Sequence, residues 1–234
     1  MPINFSPPST NEPNFHKSRR IVTRSGEILR GKFGSCRYEK QINWEAGTEQ
    51  DTVTLMEFSS VILNVTSQPF KSVFELDGEK TSRTPDFLVE TELEQILVEC
   101  KPAEALKDPS VRLHLDQAKI HFENLGYRYY IATDLEIRSG SALKNANFLL
   151  PYRMRPMQSE RERSRLLNQL IALRTVENLT IGSATAIIGD ATDVRALMAS
   201  GYLHFNFHLP ICSQTILTFH PLSEKYDAAS FLFN

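Results

Sequence analysis

The stretch Arg83-Thr-Pro-Asp-Phe-Leu-Val-Glu90, followed after an acidic turn by Gln95-Ile-Leu-Val-Glu-Cys-Lys-Pro102, decides the reading of this chain. It predicts two short extended runs, yet three charged residues stand where a buried strand should carry none. Asp86 sits in an apolar run, and Glu99 and Lys101 bracket one cysteine at the end of the next. Side chains two apart on a strand share a face, so Glu99 and Lys101 project side by side, and a hairpin brings Asp86 level with them. Two carboxylates and an ammonium at a sheet edge can hold a divalent metal and position a water beside it. Alternation turns the Cys100 side chain away, into the core.

Working outward, Val61 to Phe70 reads as extended and ends at Gln68-Pro69, where proline biases its predecessor away from helix. Ser72 to Leu76 turns through Asp77-Gly78, a two-residue hairpin signal, and Lys80 to Glu90 returns. Thr84, Asp86 and Leu88 are expected on one face, Phe87 and Val89 on the other. Gln95 to Cys100 completes a meander that Pro102 stops. Upstream, Gly47-Thr-Glu-Gln-Asp51 predicts a helix start, with Thr48 and Asp51 as a capping-box-like pair and Val53, Leu55 and Met56 facing the core. Downstream, Val111, Leu115, Ala118, Phe122 and Leu125 recur at helical spacing over 110–125, and Gly126 closes that helix. Tyr127 to Ala132 is a further strand. The order strand, helix, strand predicts an α/β fold with a mixed sheet flanked by helices.

Pro151 and Pro156 suggest a boundary, so 28–150 is expected as one domain and 151–234 as another, with 1–27 a flexible basic arm. In the second, helices over 160–173, 180–188 and 192–200 and a hairpin over 203–218 resemble a winged helix, a fold that binds DNA or docks proteins.

The 234 residues, 41% apolar and 23% charged, exclude a disordered or fibrous chain. No apolar run reaches membrane-spanning length, and the first residues carry no signal-peptide pattern. Cys36, Cys100 and Cys212 are isolated, which speaks against a disulfide framework or a zinc site and for a reducing cytosol. The net charge of -2 conceals a pattern: residues 1–40 carry about +5, 41–101 about -8 and 151–175 about +4. An acidic centre between basic flanks suits a metal site between surfaces that grip phosphates. Arg30, Lys32 and Ser35, in a glycine-punctuated turn, and Arg153 and Arg155 are the expected DNA contacts.

The Pro-Asp…Glu-x-Lys arrangement resembles the PD-(D/E)xK nuclease superfamily. Its context is narrower: Glu49-Gln-Asp51, Met56-Glu-Phe58, Gln68-Pro69, Thr84-Pro-Asp-Phe-Leu-Val89 and Val98-Glu-Cys-Lys-Pro102 follow one another at the intervals of the TnsA family. That family comprises the endonuclease subunits of Tn7-like heteromeric transposases. Glu136-Ile-Arg138 with Asn147 resembles the segment that follows its nuclease core. The resemblance implies a restriction-endonuclease-like fold and Mg2+-dependent cleavage of the 5′ strands at transposon ends, with Mn2+ as substitute ion. Asp86, Glu99 and the Cys100 carbonyl would hold the metal and Lys101 would position the water. Glu49 would orient the water or hold a second ion, with Asp51 and Glu57 as alternatives. It further implies double-stranded DNA, a TnsB-like DDE transposase and a TnsC-like AAA+ regulator as partners, in a prokaryotic cytoplasm. A stand-alone restriction or repair nuclease, or a non-catalytic adaptor on the same fold, would share the motif.

Overall fold

A computed structural model of the chain describes residues 30–76, 78–153 and 160–233. Asp77 of the expected hairpin turn, Arg155 and the arm over 1–27 lie outside the described residues. The described residues open with an antiparallel pair, β1 (Gly31–Ser35) and β2 (Lys40–Trp44). Phe33, Ile42 and Trp44 face inward and Lys32, Gly34 and Gln41 outward, the alternation that a strand with one buried face requires. Gly31 lies opposite Trp44, and a Cβ there would fall 2.3 Å from the indole ring, so only glycine lets the two strands close.

Helix α1 (Gly47–Glu57) follows. Its N-cap is Ala46 rather than Thr48, and no cap side chain bonds to the helix. Thr48 is buried inside the first turn, and Asp51 pairs instead with Arg138 at 2.8 Å. The run Thr52-Val-Thr54 is poor helix-forming sequence, and the hydroxyls of Thr52 and Thr54 turn back onto the carbonyls of Thr48 and Gln50. Packing compensates, since every residue from Thr52 to Glu57 is buried.

The central sheet has the order β3-β6-β7-β8, from β3 (Asn64–Ser67), β6 (Phe87–Glu90), β7 (Gln95–Lys101) and β8 (Arg128–Thr133). The first two pairings are antiparallel and β7–β8 is parallel, so the sheet is mixed as expected. Between β7 and β8 runs α2 (Pro109–Asn124), capped by the Asp108 carboxylate and closed at Gly126, whose φ is 89°. β4 (Ser72–Leu76) and β5 (Glu79–Arg83) form a separate two-stranded sheet. The expected single strand over 80–90 is broken at Thr84-Pro85-Asp86, because Pro85 has no N–H for a ladder.

The two faces of the sheet bury different clusters. Phe87, Val89, Val98 and Cys100 join Val53, Leu55 and Met56 of α1 in the larger core. Leu97 and Tyr129 pack with Ala118 and Phe122 of α2, with Phe70 and with Phe74 of β4, and Leu88 lies against them.

After β8, Thr133 and Glu136 form a capping box that starts α3 (Asp134–Ile137), and α4 (Ala142–Arg153) runs through Pro151. The boundary expected at 150/151 thus falls inside α4. Three helices follow, α5 (Glu160–Leu173), α6 (Ile181–Ile188) and α7 (Ala191–Ala199). The hairpin expected over 203–218 is not a ladder. His204 and Thr218 exchange two hydrogen bonds of 2.8 Å, and Ile216 bridges to Thr180 ahead of α6. The larger core runs continuously from α1 and the sheet into α5, α6 and α7. Polar ties reinforce it: Asn145 donates to the carbonyls of Phe207 and Leu209, and the Asp227 carboxylate accepts from Ser60. No helix of the described residues is long and apolar enough to cross a membrane.

Candidate active site

The break before β6 has a chemical consequence. Asp86 stands just outside the ladder, and its Oδ2 accepts the backbone N–H of Cys100 at 2.7 Å. The carboxylate is thereby fixed against the end of β7, level with Glu99 and Lys101. The period-2 geometry of β7 turns Cys100 inward, where its Sγ lies 3.4 Å from Thr52 Oγ1 of α1. Glu99 and Lys101 point the other way and pair at 2.7 Å.

Glu99 is only 2% exposed, and donors surround it. Its Oε1 accepts from Arg83 at 2.5 Å as well as from Lys101, and its Oε2 accepts from the Tyr129 hydroxyl at 3.3 Å. Neither Arg83 nor Tyr129 was singled out from the sequence. The signal for Tyr129 is its register, opposite Leu97 and so on the Glu99 face. Arg83 had only its place three residues before Asp86.

Glu49 reaches the same region from the first turn of α1, with Oε2 accepting the Glu45 N–H at 2.8 Å. Burial raises its carboxyl above the ordinary range against that hydrogen bond, with Lys101 lowering it and Glu99 raising it, so it shares the field of the β7 pair. Asp86 is raised well above its ordinary value, first because protein crowds the carboxyl and then because Glu99 and Glu49 repel its charge. Burial alone would lower Lys101, but Glu99 and Asp86 outweigh it and hold the ammonium charged. Lys101 therefore carries its positive charge beside the two carboxylates.

The two alternatives to Glu49 lie elsewhere. Asp51 pairs with Arg138. Glu57, 1% exposed, accepts from Ser35 Oγ at 2.6 Å, from the backbone N–H groups of Cys36 and Arg37, and from Arg153 at 2.7 Å. That network corrects two expected DNA contacts. Ser35 is buried, and the Arg153 side chain is 11% exposed and also bonded to the Ala199 carbonyl, so both serve the interior. Arg30 and Lys32 are exposed.

The converging groups are three carboxylates, Glu49, Asp86 and Glu99, against two cations, Arg83 and Lys101. Their oxygens are hard donors of the kind Mg2+ accepts, and the repulsion that raises Asp86 is what a divalent cation relieves. The donor set fits such an ion in chemistry and charge. Among the described residues, however, no three His, Cys, Asp or Glu side chains stand close enough to enclose one as arranged.

Residues 59–134 match a family model described as the TnsA-like endonuclease N-terminal domain. The chain carries a TnsA-like endonuclease domain. The match spans about a third of the sequence and contains Asp86, Glu99 and Lys101, together with Arg83 and Tyr129. It supports the assignment to the TnsA family and a nuclease activity in general. Glu49 precedes the matched segment, so its place beside the site rests on the electrostatic influence that it shares with Asp86, Glu99 and Lys101. No curated protein matches the chain.

Proposed function

We propose that this chain is a metal-dependent DNA endonuclease that cleaves the 5′ strands at transposon ends, acting as one subunit of a heteromeric transposase. The observation that carries the reading is the convergence of Glu49, Asp86, Glu99 and Lys101 at the end of β7, inside or beside a TnsA-like domain. Asp86 and Glu99, with the Cys100 carbonyl, are the proposed holders of Mg2+. When bound, the ion lowers the pKa of a coordinated water and neutralises charge on the phosphate. The residues supply the rest. Lys101, kept charged by its neighbours, orients the attacking water and offsets the charge that develops on the phosphoryl oxygens. Glu49, raised by burial, accepts a hydrogen bond from that water from the α1 side or helps to hold a second ion.

Arg30, just ahead of β1, and Lys32 within it are exposed and are proposed to meet the duplex backbone. A DDE transposase would cut the 3′ strands and an AAA+ regulator would dock on the C-terminal module. That module we read as winged-helix-like, with its sheet reduced to the bridges Thr180–Ile216 and His204–Thr218. The experiment is plasmid cleavage by the purified chain with Mg2+ or Mn2+, alone and with the partner transposase and a transposon end. Cutting that needs the partner supports the subunit reading. Robust unaided cutting would favour a stand-alone nuclease, and no cutting in either state would favour an adaptor.

A further inference from the structure

Glu99 is assigned to a cation by the reading above, yet all its oxygens are already engaged by protein donors. Arg83 and Lys101 hold Oε1, and Tyr129 reaches Oε2. The Cys100 carbonyl accepts from Lys101 Nζ at 3.2 Å. Lys101 and Tyr129 belong to the central sheet beside Glu99. Arg83 does not. It is the last residue of β5, in the separate β4–β5 sheet, and reaches across to Glu99 from the chain segment that leads to Asp86.

Its side chain retains 18% of its surface exposed, against 3% for that of Glu99, so Arg83 is the partner of that pair that solvent reaches. A guanidinium pairs with a phosphate through the same planar fork that it offers a carboxylate. A DNA phosphate approaching the three carboxylates therefore meets Arg83 as one of two cations at the opening, Lys101 being the other, its side chain 26% exposed.

Resting on the nuclease reading, we propose that Arg83 is a positioning residue that holds Glu99 until a DNA phosphate takes its guanidinium. DNA binding then favours cation binding. In the exchange Arg83 passes from one anion to another, and the freed Glu99 carboxylate, together with Asp86, meets the incoming divalent cation. No bond is made or broken. Substrate and metal become thermodynamically coupled through one side chain, and the coupling is reciprocal.

The test measures Mn2+ affinity of the full chain by electron paramagnetic resonance of the free ion, with and without a short duplex, and needs no cleavage. Without DNA, Arg83→Gln binds Mn2+ on the order of tenfold more tightly than wild type, the strength of one charge-assisted hydrogen bond removed from Glu99. The duplex tightens Mn2+ binding to wild type, and this DNA-driven gain shrinks in Arg83→Gln by the same factor. Thermal melts check that the variant is folded, and the wild-type gain with DNA tests the coupling without any variant. A mere tie between hairpin and sheet lowers the melting temperature without tightening Mn2+ binding, and that result overturns the proposal. An equal DNA-driven gain in both proteins also overturns it, because loss of a nearby positive charge would tighten the ion without removing the coupling. Asp86→Asn separates the two readings. If it loses Mn2+ while Arg83→Gln behaves as wild type, the site stands and the Arg83 proposal falls. If Asp86→Asn binds Mn2+ normally, the cation site itself is misassigned.

Discussion

Replacing Arg153 with methionine tests whether that arginine holds the molecule together or grips DNA. The side chain keeps its length but loses the charge that faces Glu57, a carboxylate with 1% exposure. Breaking a buried ion pair by removing one partner costs about 3–5 kcal/mol, because a charge is left uncompensated. Glu57 retains three other donors, Ser35 Oγ at 2.6 Å, Cys36 N at 3.2 Å and Arg37 N at 2.9 Å, which places Arg153→Met at the low end, about 3 kcal/mol. The bond to the Ala199 carbonyl at the end of α7 is lost as well, for about 1 kcal/mol more. Urea denaturation followed by circular dichroism should show a lowered midpoint with an unchanged slope. In Glu57→Gln/Arg153→Met the two costs should add to less than their sum, since both changes remove one interaction. A loss below about 0.5 kcal/mol, the range of an exposed pair, together with weaker and less salt-dependent DNA binding, would refute the structural role and restore Arg153 as a phosphate contact.

Three further outcomes follow from particular contacts. Gly31→Ala puts a methyl group 2.3 Å from the Trp44 ring, and the forced shift of β1 against β2 should cost about 1–3 kcal/mol in the same denaturation assay. Burial lowers the pKa of His121, whose Nε2 meets Ser72 Oγ at 2.8 Å and whose ring stacks on Phe74. Its neutral form therefore stabilises the docked hairpin above the ordinary histidine pKa near 6.5, and that contribution is lost as pH falls through the lowered value. Hydrogen-exchange protection in β4, taken relative to the intrinsic rate at each pH, should fall on that descent in wild type and not in His121→Phe. Glu49→Gln should lose cleavage while melting as wild type, and Glu57→Gln should melt earlier while keeping cleavage at permissive temperature. The reverse pattern would move the α1 acid to Glu57.

Much of the site was legible because its signals are local. Period-2 alternation around Cys100 placed Glu99 and Lys101 together, and the structure turns that cysteine into the core as expected, where it meets Thr52. The order of β6, β7, α2 and β8 followed from turn residues and helical spacing. What escaped depends on contacts between distant segments. Nothing near Ser35 or Arg153 announces that both belong to Glu57, which lies 22 residues from the first and 96 from the second. The expected strand over 80–90 missed the break at Pro85, which proline chemistry signals, and with it the Asp86 carboxylate bonded to Cys100 N. The expected hairpin over 203–218 failed because its residues pair with the segment before α6: the Leu217 N–H goes to the Leu179 carbonyl. The Thr48 cap failed because packing on the core pulled Thr48 inside the helix.

The central claim is that Asp86, Glu99 and Lys101 form the cutting site of a transposase subunit. Its most direct test is strand-specific cleavage of end-labelled transposon-end DNA by the chain with its partner transposase and Mg2+, comparing wild type with Asp86→Ala. The account predicts 5′-strand cuts by wild type and none by Asp86→Ala, with the 3′-strand cuts and partner binding intact. Unchanged 5′-strand cutting by a folded Asp86→Ala protein would contradict it.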